Sequence, residues 1–152
     1  MTTPADNPPA DQAEAIEEGR QHHHAGRLDE AKAVYERVLA EAPENAPEKA
    51  DVLHMLGVVA LQQGRLDSAL EVIGKALTLK PGLAVAHNSA GSVYQRLGRY
   101  DDAVRSFQAA IEADPEYGNA HFNLGTMHLA RHRHNEAAQA LGRAVEIQPD
   151  FT

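Results

Sequence analysis

The sequence has no cysteine and no tryptophan, only 5% of its residues are aromatic, and its 14 Lys plus Arg are outnumbered by 22 Asp plus Glu. The lack of cysteine excludes disulfides, Cys-type zinc sites and thiol nucleophiles, and accords with a reducing compartment. With so few aromatics, the 43% of hydrophobic residues must build a core from small side chains, alanine above all. The formal net charge of −8 repels phosphate backbones and anionic bilayers, so no nucleic-acid and no membrane partner is expected. No apolar run approaches the ~20 residues that span a bilayer, and Met1-Thr2-Thr3-Pro4-Ala5-Asp6 lacks the basic-then-apolar order of a signal peptide. A cytoplasmic chain is expected. At 152 residues it is one domain or one short array, and residues 1–11, with Pro4, Pro8 and Pro9, read as a disordered leader.

What the sequence does have is a period. Gly26-Arg27-Leu28-Asp29-Glu30-Ala31 recurs as Gly64-Arg65-Leu66-Asp67-Ser68-Ala69 and Gly98-Arg99-Tyr100-Asp101-Asp102-Ala103, then more weakly as His132-Arg133-His134-Asn135-Glu136-Ala137, at spacings of 38, 34 and 34. Twelve residues beyond each alanine stands a proline: Pro43, Pro81, Pro115 and Pro149. A fixed period of this size sets an architecture of stacked repeats.

Between these marks the apolar spacing is helical, as in Leu53, Leu56, Gly57 and Ala60, then Ala69, Leu70, Ile73, Ala76 and Leu77. Glycine suits the left-handed residue that ends a first helix, the following Asp favours the start of a second, and proline follows its end. The pattern predicts helices over 12–25, 28–42, 47–63, 66–79, 83–97, 100–113, 117–131 and 134–147. Small residues where paired helices cross, Gly57 with Ala69, Gly91 with Ala103 and Gly125 with Ala137, allow close approach.

In these features the chain resembles the tetratricopeptide repeat family, built from 34-residue helix-turn-helix units. Counted from Gln12, Ala50, Ala84 and Gly118, the family's small eighth residue falls on Gly19, Gly57, Gly91 and Gly125. Its twentieth-place alanine is present four times, the twenty-fourth place holds Tyr35, Ile73, Phe107 and Leu141, and the thirty-second is always proline. The resemblance implies an all-α, right-handed superhelical solenoid of four units: 12–45, 50–83, 84–117 and 118–151, with residues 46–49 inserted between the first two. Unit 1 departs at Ala15, Glu18 and His22, where the family has larger apolar residues, and reads as an N-terminal cap. Pro47 suits a first helical turn, so the insertion is expected to lengthen helix 47–63. His132 replaces the turn glycine at about 1 kcal/mol if the left-handed conformation is kept, so a reshaped turn is expected there.

Terminal repeats of a solenoid need polar outer faces, yet helix 134–147 offers Ala138, Leu141, Val145 and Ile147. Three readings follow: more chain beyond Thr152, homo-oligomerisation through this edge, or a bare edge.

The resemblance also implies that first helices line a concave surface receiving a peptide or helix of a partner protein. Its groove places fall on Ile16, Arg20 and His23, on Asp51, His54, Met55, Val58, Leu61 and Gln62, on Val85, Asn88, Ser89, Ser92, Gln95 and Arg96, and on Asn119, Phe122, Asn123, Thr126 and Leu129. A side-chain amide both donates and accepts, so Asn88, Asn119 and Asn123 suit an extended backbone. The lysines of the family's carboxylate clamp are absent. The asparagine ladder of O-linked N-acetylglucosamine transferases keeps one member, Asn123, against Glu17, Met55 and Ser89. Ala86-His87-Asn88 nonetheless looks like bacterial repeat regions that precede glycosyl-, sulfo- or methyltransferase domains.

His22-His23-His24 lies inside the repeat register, and successive helical residues diverge by about 100°, so the three cannot share one ion. His128 takes the family's packed tyrosine place and reads as a core residue. No metal or cofactor is expected. Arg27, Arg65, Arg99 and Arg133 should line one edge, each with a carboxylate or amide close by. The sequence has no phosphate loop and no nucleophile elbow, and its serines lack a base, so it reads as a non-catalytic interaction module. The alternatives are the docking region of a larger transferase and a self-assembling scaffold.

Overall fold

The computed structural model describes residues 10–150. They form eight helices: α1 (Ala10–His24), α2 (Leu28–Glu41), α3 (Lys49–Gln62), α4 (Leu66–Leu79), α5 (Ala84–Arg96), α6 (Tyr100–Ala113), α7 (Gly118–Ala130) and α8 (His134–Ile147). Every bound lies within two residues of the one expected from the sequence. The expected leader falls on residues 1–9, outside the described residues, except that Ala10 and Asp11 already belong to α1. The chain divides into two compact units, Met1–Leu79 and Lys80–Thr152. In the first, α1 packs on α2 and α3 on α4, with α2 against α3; in the second, α5 packs on α6 and α7 on α8, with α6 against α7.

Each hairpin closes in the same way. Arg27 N–H reaches His22 O at 2.9 Å, Arg65 reaches Ala60 O at 2.9 Å, Arg99 reaches Tyr94 O at 2.9 Å and Arg133 reaches His128 O at 2.9 Å. This six-to-one bond caps a helix whose next residue is left-handed. Gly26, Gly64 and Gly98 have φ of 73°, 74° and 72°. His132 has φ 58°, so the fourth turn is not reshaped: the capping bond imposes the conformation although the residue has a Cβ. His132→Gly is therefore expected to stabilise the protein by about 1 kcal/mol, read as a higher urea midpoint at unchanged slope. A lower midpoint would show that the imidazole itself holds the turn.

The aspartates after these turns do not cap. The N-cap residues of α2, α6 and α8 are Arg27, Arg99 and Arg133, without side-chain capping bonds, and Asp29, Asp101 and Asp102 sit inside the first turns. There they face the positive end of the helix dipole. The insertion does not extend α3 either. Ala46 N–H bonds Pro43 O at 3.1 Å and Lys49 N–H bonds Ala46 O at 3.1 Å, so residues 43–48 are spent on tight turns and α3 keeps 14 residues. Pro47 precedes the N-cap Glu48 instead of opening the helix.

The core of the first unit gathers Ala31, Tyr35, Val38, Val52, Leu56 and Val59; that of the second gathers Ala103, Phe107, Leu124 and Met127. The close approach inside each hairpin involves a partner other than the expected alanine. A Cβ on Gly57 would lie 2.5 Å from Ile73 Cγ1 but 3.5 Å from Ala69 O; on Gly91 it would lie 2.5 Å from Phe107 Cε1, and on Gly125 2.6 Å from Leu141 Cγ. Gly19 meets the Tyr35 ring in the same manner. The eighth-place glycine is thus the seat of the large twenty-fourth-place side chain.

Candidate peptide-binding face

On a helix, residues three and four apart share a face, and this sets the candidate residues beside one another. In the second unit α5 and α7 lie in contact. Asn123 Nδ2 donates to Asn88 Oδ1 at 2.9 Å in a half-buried setting. Among the described hydrogen bonds the pair leaves the Asn88 amide protons and the Asn123 carbonyl lone pairs unspent, one donor group and one acceptor side by side. Ser92 Oγ donates back to Asn88 O at 3.3 Å and Thr126 Oγ1 to Asn123 O at 2.8 Å, which fixes both hydroxyls and leaves their oxygens as acceptors. Around them Asn119, Gln95 and Arg96 are exposed, Ser89 and Val85 are half-buried, and Phe122 and Leu129 are 39% and 44% exposed. Asn119 stays apart from the asparagine pair among the described hydrogen bonds.

In the first unit His23 Nε2 donates to Gln62 Oε1 at 3.0 Å, tying α1 to α3. Arg20 is exposed, and His54, Val58, Leu61 and Asp51 are half-buried. Ile16 and Met55 are half-buried and pack against the core cluster. The four edge residues of α8 separate: Ala138 is exposed and Val145 is 52% exposed, Ile147 is half-buried, and Leu141 turns inward onto Gly125. The edge expected for self-association is accordingly smaller than its sequence.

Two histidines acquire a role that motif reading missed. His87 Nε2 donates to Pro81 O at 2.7 Å and His121 Nε2 to Pro115 O at 2.9 Å, each six residues back across the inter-repeat turn. A histidine at the fourth place, following a fixed proline, is the signal that could have revealed it. His128 is buried, 7% exposed, as its packing place implies. Among the described residues no group of three or more His, Cys, Asp or Glu could hold a metal ion.

Of the four expected edge arginines, Arg99 alone has a carboxylate partner among the described ion pairs. Arg99 pairs with Asp102 at 2.8 Å and lies 4.7 Å from the centre of the Tyr94 ring, Arg131 pairs with Asp101, and Arg27 Nε donates to His22 Nδ1 at 2.9 Å. The hydrogen bond from Arg131 holds the Asp101 carboxyl below its ordinary value, and those from Arg105 and Arg99 do the same for Asp102. With lowered folded-state values, these pairs help the fold above the ordinary carboxylate value of 3.8 and lose that help as pH falls through the lowered one. Asp101 is exposed and Asp102 half-buried at the surface, where such pairs contribute little.

A tetratricopeptide repeat model matches residues 11–82 and a second tetratricopeptide repeat model matches residues 88–150, between them nearly the whole chain. The chain belongs to the tetratricopeptide repeat family. No curated protein matches it. Among solved tetratricopeptide structures and their relatives, it is 26% identical to MamA, with a TM-score of 0.73 over 88% of this chain and 75% of that one. It is 28% identical to YrrB, described as a TPR protein with an unusual peptide-binding site, with a TM-score of 0.70 over 88% of this chain and 66% of that one. A tetratricopeptide repeat protein from Parabacteroides merdae shares the fold at 22% identity and a TM-score of 0.76, this chain spanning 55% of its length. These matches and the eight helices, with no strand among the described residues, bear out the all-α repeat architecture. No described helix is long and apolar enough to cross a membrane.

Proposed function

We propose that this protein is a non-catalytic interaction module whose α5/α7 face holds an extended segment of a partner protein. The observation that carries the reading is the Asn88–Asn123 hydrogen bond. A peptide unit offers one N–H and one C=O, and the bonded asparagines present the complementary acceptor and donor, already oriented. The half-exposed Phe122 adds an apolar surface beside them for one partner side chain. The peptide-binding site named for YrrB supports peptide binding by a tetratricopeptide repeat protein. The resemblance to repeats that precede transferase domains gains no comparable support, because both matched family models are repeat models alone.

The test is selection of binders from a random displayed peptide library on the whole chain, followed by their affinities for the Asn88→Ala/Asn123→Ala variant. Groove binders are expected to lose about tenfold or more, the equivalent of ~1.4 kcal/mol, with far-UV circular dichroism unchanged. Undiminished affinity across all selected peptides would place the binding surface elsewhere.

A further inference from the structure

Helix α7 carries a second functional-looking face, turned away from Asn119, Phe122, Asn123 and Thr126. His121, Leu124 and His128 recur there at spacings of three and four, which puts them on one stripe about 180° from the asparagine side. This stripe floors a cleft of ≈630 Å³ walled by α6 and α8. The volume falls within the roughly 300–1,000 Å³ of ligand-binding sites. We propose that this cleft is a separate docking site for a short basic–aliphatic segment of a partner protein.

The chemistry of the lining selects that occupant. Ile111, Leu124 and Ala140 supply an apolar bed, and the first two belong to, or pack against, the buried core, so the bed is fixed in place. Glu112 on α6 and Glu136 on α8 stand on opposite walls, both exposed, and neither forms an ion pair among the described residues. The one cation of the lining, Arg143, is already held by Glu116 at 2.6 Å and Glu146 at 3.1 Å. Around the cleft four carboxylates therefore face a single guanidinium. A lysine or arginine entering between the walls gains two uncompensated carboxylates, while its aliphatic neighbour covers the bed.

A third group points the same way. His128 lies in the floor, 7% exposed, and its Nδ1 is buried with no hydrogen-bond partner among the described residues. Buried polar atoms are nearly always hydrogen-bonded. With the ring proton on Nε2, Nδ1 is an acceptor, and a cationic donor arriving over the floor is the kind of group that a small tilt of the ring would meet. The corresponding cleft of the first unit, between α2 and α4, has only ≈150 Å³ and cations of its own, Lys32 and Arg65, in the lining. Repeat geometry alone therefore does not produce the larger acidic cleft.

The same displayed-peptide selection decides the matter, with different variants. One class of selected peptides is expected to carry Lys or Arg within four residues of Leu, Ile or Val, and to bind Glu112→Gln/Glu136→Gln about tenfold more weakly. That class should keep full affinity for Asn88→Ala/Asn123→Ala, and also for Glu14→Gln/Glu30→Gln, which removes the same charge from exposed sites elsewhere. Absence of such a class, or an equal loss on the Glu14/Glu30 variant, would overturn the proposal. Peptides sensitive to the asparagine variant alone would overturn it too, while leaving the asparagine face standing.

Discussion

Replacing Phe107 by alanine is expected to cost about 3–5 kcal/mol, the largest loss available in the second unit. The ring is fully buried and packs with Ala103, Leu124 and Met127, and its edge rests on Gly91. What decides the magnitude is the character of these neighbours. Gly91 and Ala103 have no side chain that can swing into the space left behind, so the void relaxes little, and poorly relaxing sites lie at the costly end of the range. For a chain of this length the loss corresponds to a fall of roughly 6–20 °C in melting temperature. Because Leu124 and Met127 are on α7, the helix that carries Asn123, the same change should loosen the proposed peptide-binding face before the unit melts. A loss below about 1 kcal/mol would mean that the ring is not the keystone of this core.

The positions of the helices were legible because glycine and proline act locally. A left-handed residue ends one helix and a proline ends the next, and both signals are read without knowing any neighbour in space. The turn at His132 shows the limit of that reading. Residue identity argued for a changed turn, but the Arg133 to His128 bond belongs to the repeat geometry and enforces φ 58° on whatever residue stands there. At Pro47 the opposite error arose: proline is compatible with a first helical turn, yet it is equally compatible with the turns that residues 43–48 form, and spacing cannot choose between them.

The candidate face was legible one residue at a time. Asn88 and Asn123 stand out in the sequence as amides on groove-facing places, but their mutual bond depends on the lateral separation of α5 and α7, which no one-dimensional pattern contains. The cleft over α7 was missed for a related reason. In the sequence His128 reads as a core residue of one helix, whereas the carboxylates that give the cleft its charge come from α6 and α8. A functional surface assembled from three helices needs the packing before its chemistry can be summed. One long-range pairing was readable after all: Gly19 and Tyr35, Gly57 and Ile73, Gly91 and Phe107, and Gly125 and Leu141 are each 16 residues apart. That constant offset between the smallest and the largest side chain is the signature of a knob entering a seat, and it outperforms the glycine–alanine pairing inferred from the crossing alone.

That pairing makes opposite predictions for glycines that look alike in sequence. Gly91→Ala and Gly74→Ala both add a methyl group in a helix interior, where alanine is favoured over glycine by about 1 kcal/mol. At Gly74 the new Cβ would meet nothing within 4 Å, so the variant should be more stable by about 0.5–1 kcal/mol. At Gly91 the Cβ would lie 2.5, 2.6 and 2.9 Å from three atoms of the Phe107 ring, which is buried on every side and cannot rotate away. Helices α5 and α6 must then separate, and overpacking of this kind costs about 2–3 kcal/mol at so tight a contact, the upper part of its range, which cancels the propensity gain and leaves a net loss of roughly 1–2 kcal/mol. Urea melts of the two variants should therefore move to opposite sides of the parent protein. The double change Gly91→Ala/Phe107→Ala sharpens the test, because removing the ring opens the seat: the two losses should fall short of additivity by about 1 kcal/mol or more. Strict additivity, or a stabilised Gly91→Ala protein, would show that the glycine is dispensable and that the hairpin is held at its spacing by something other than the seat for the ring.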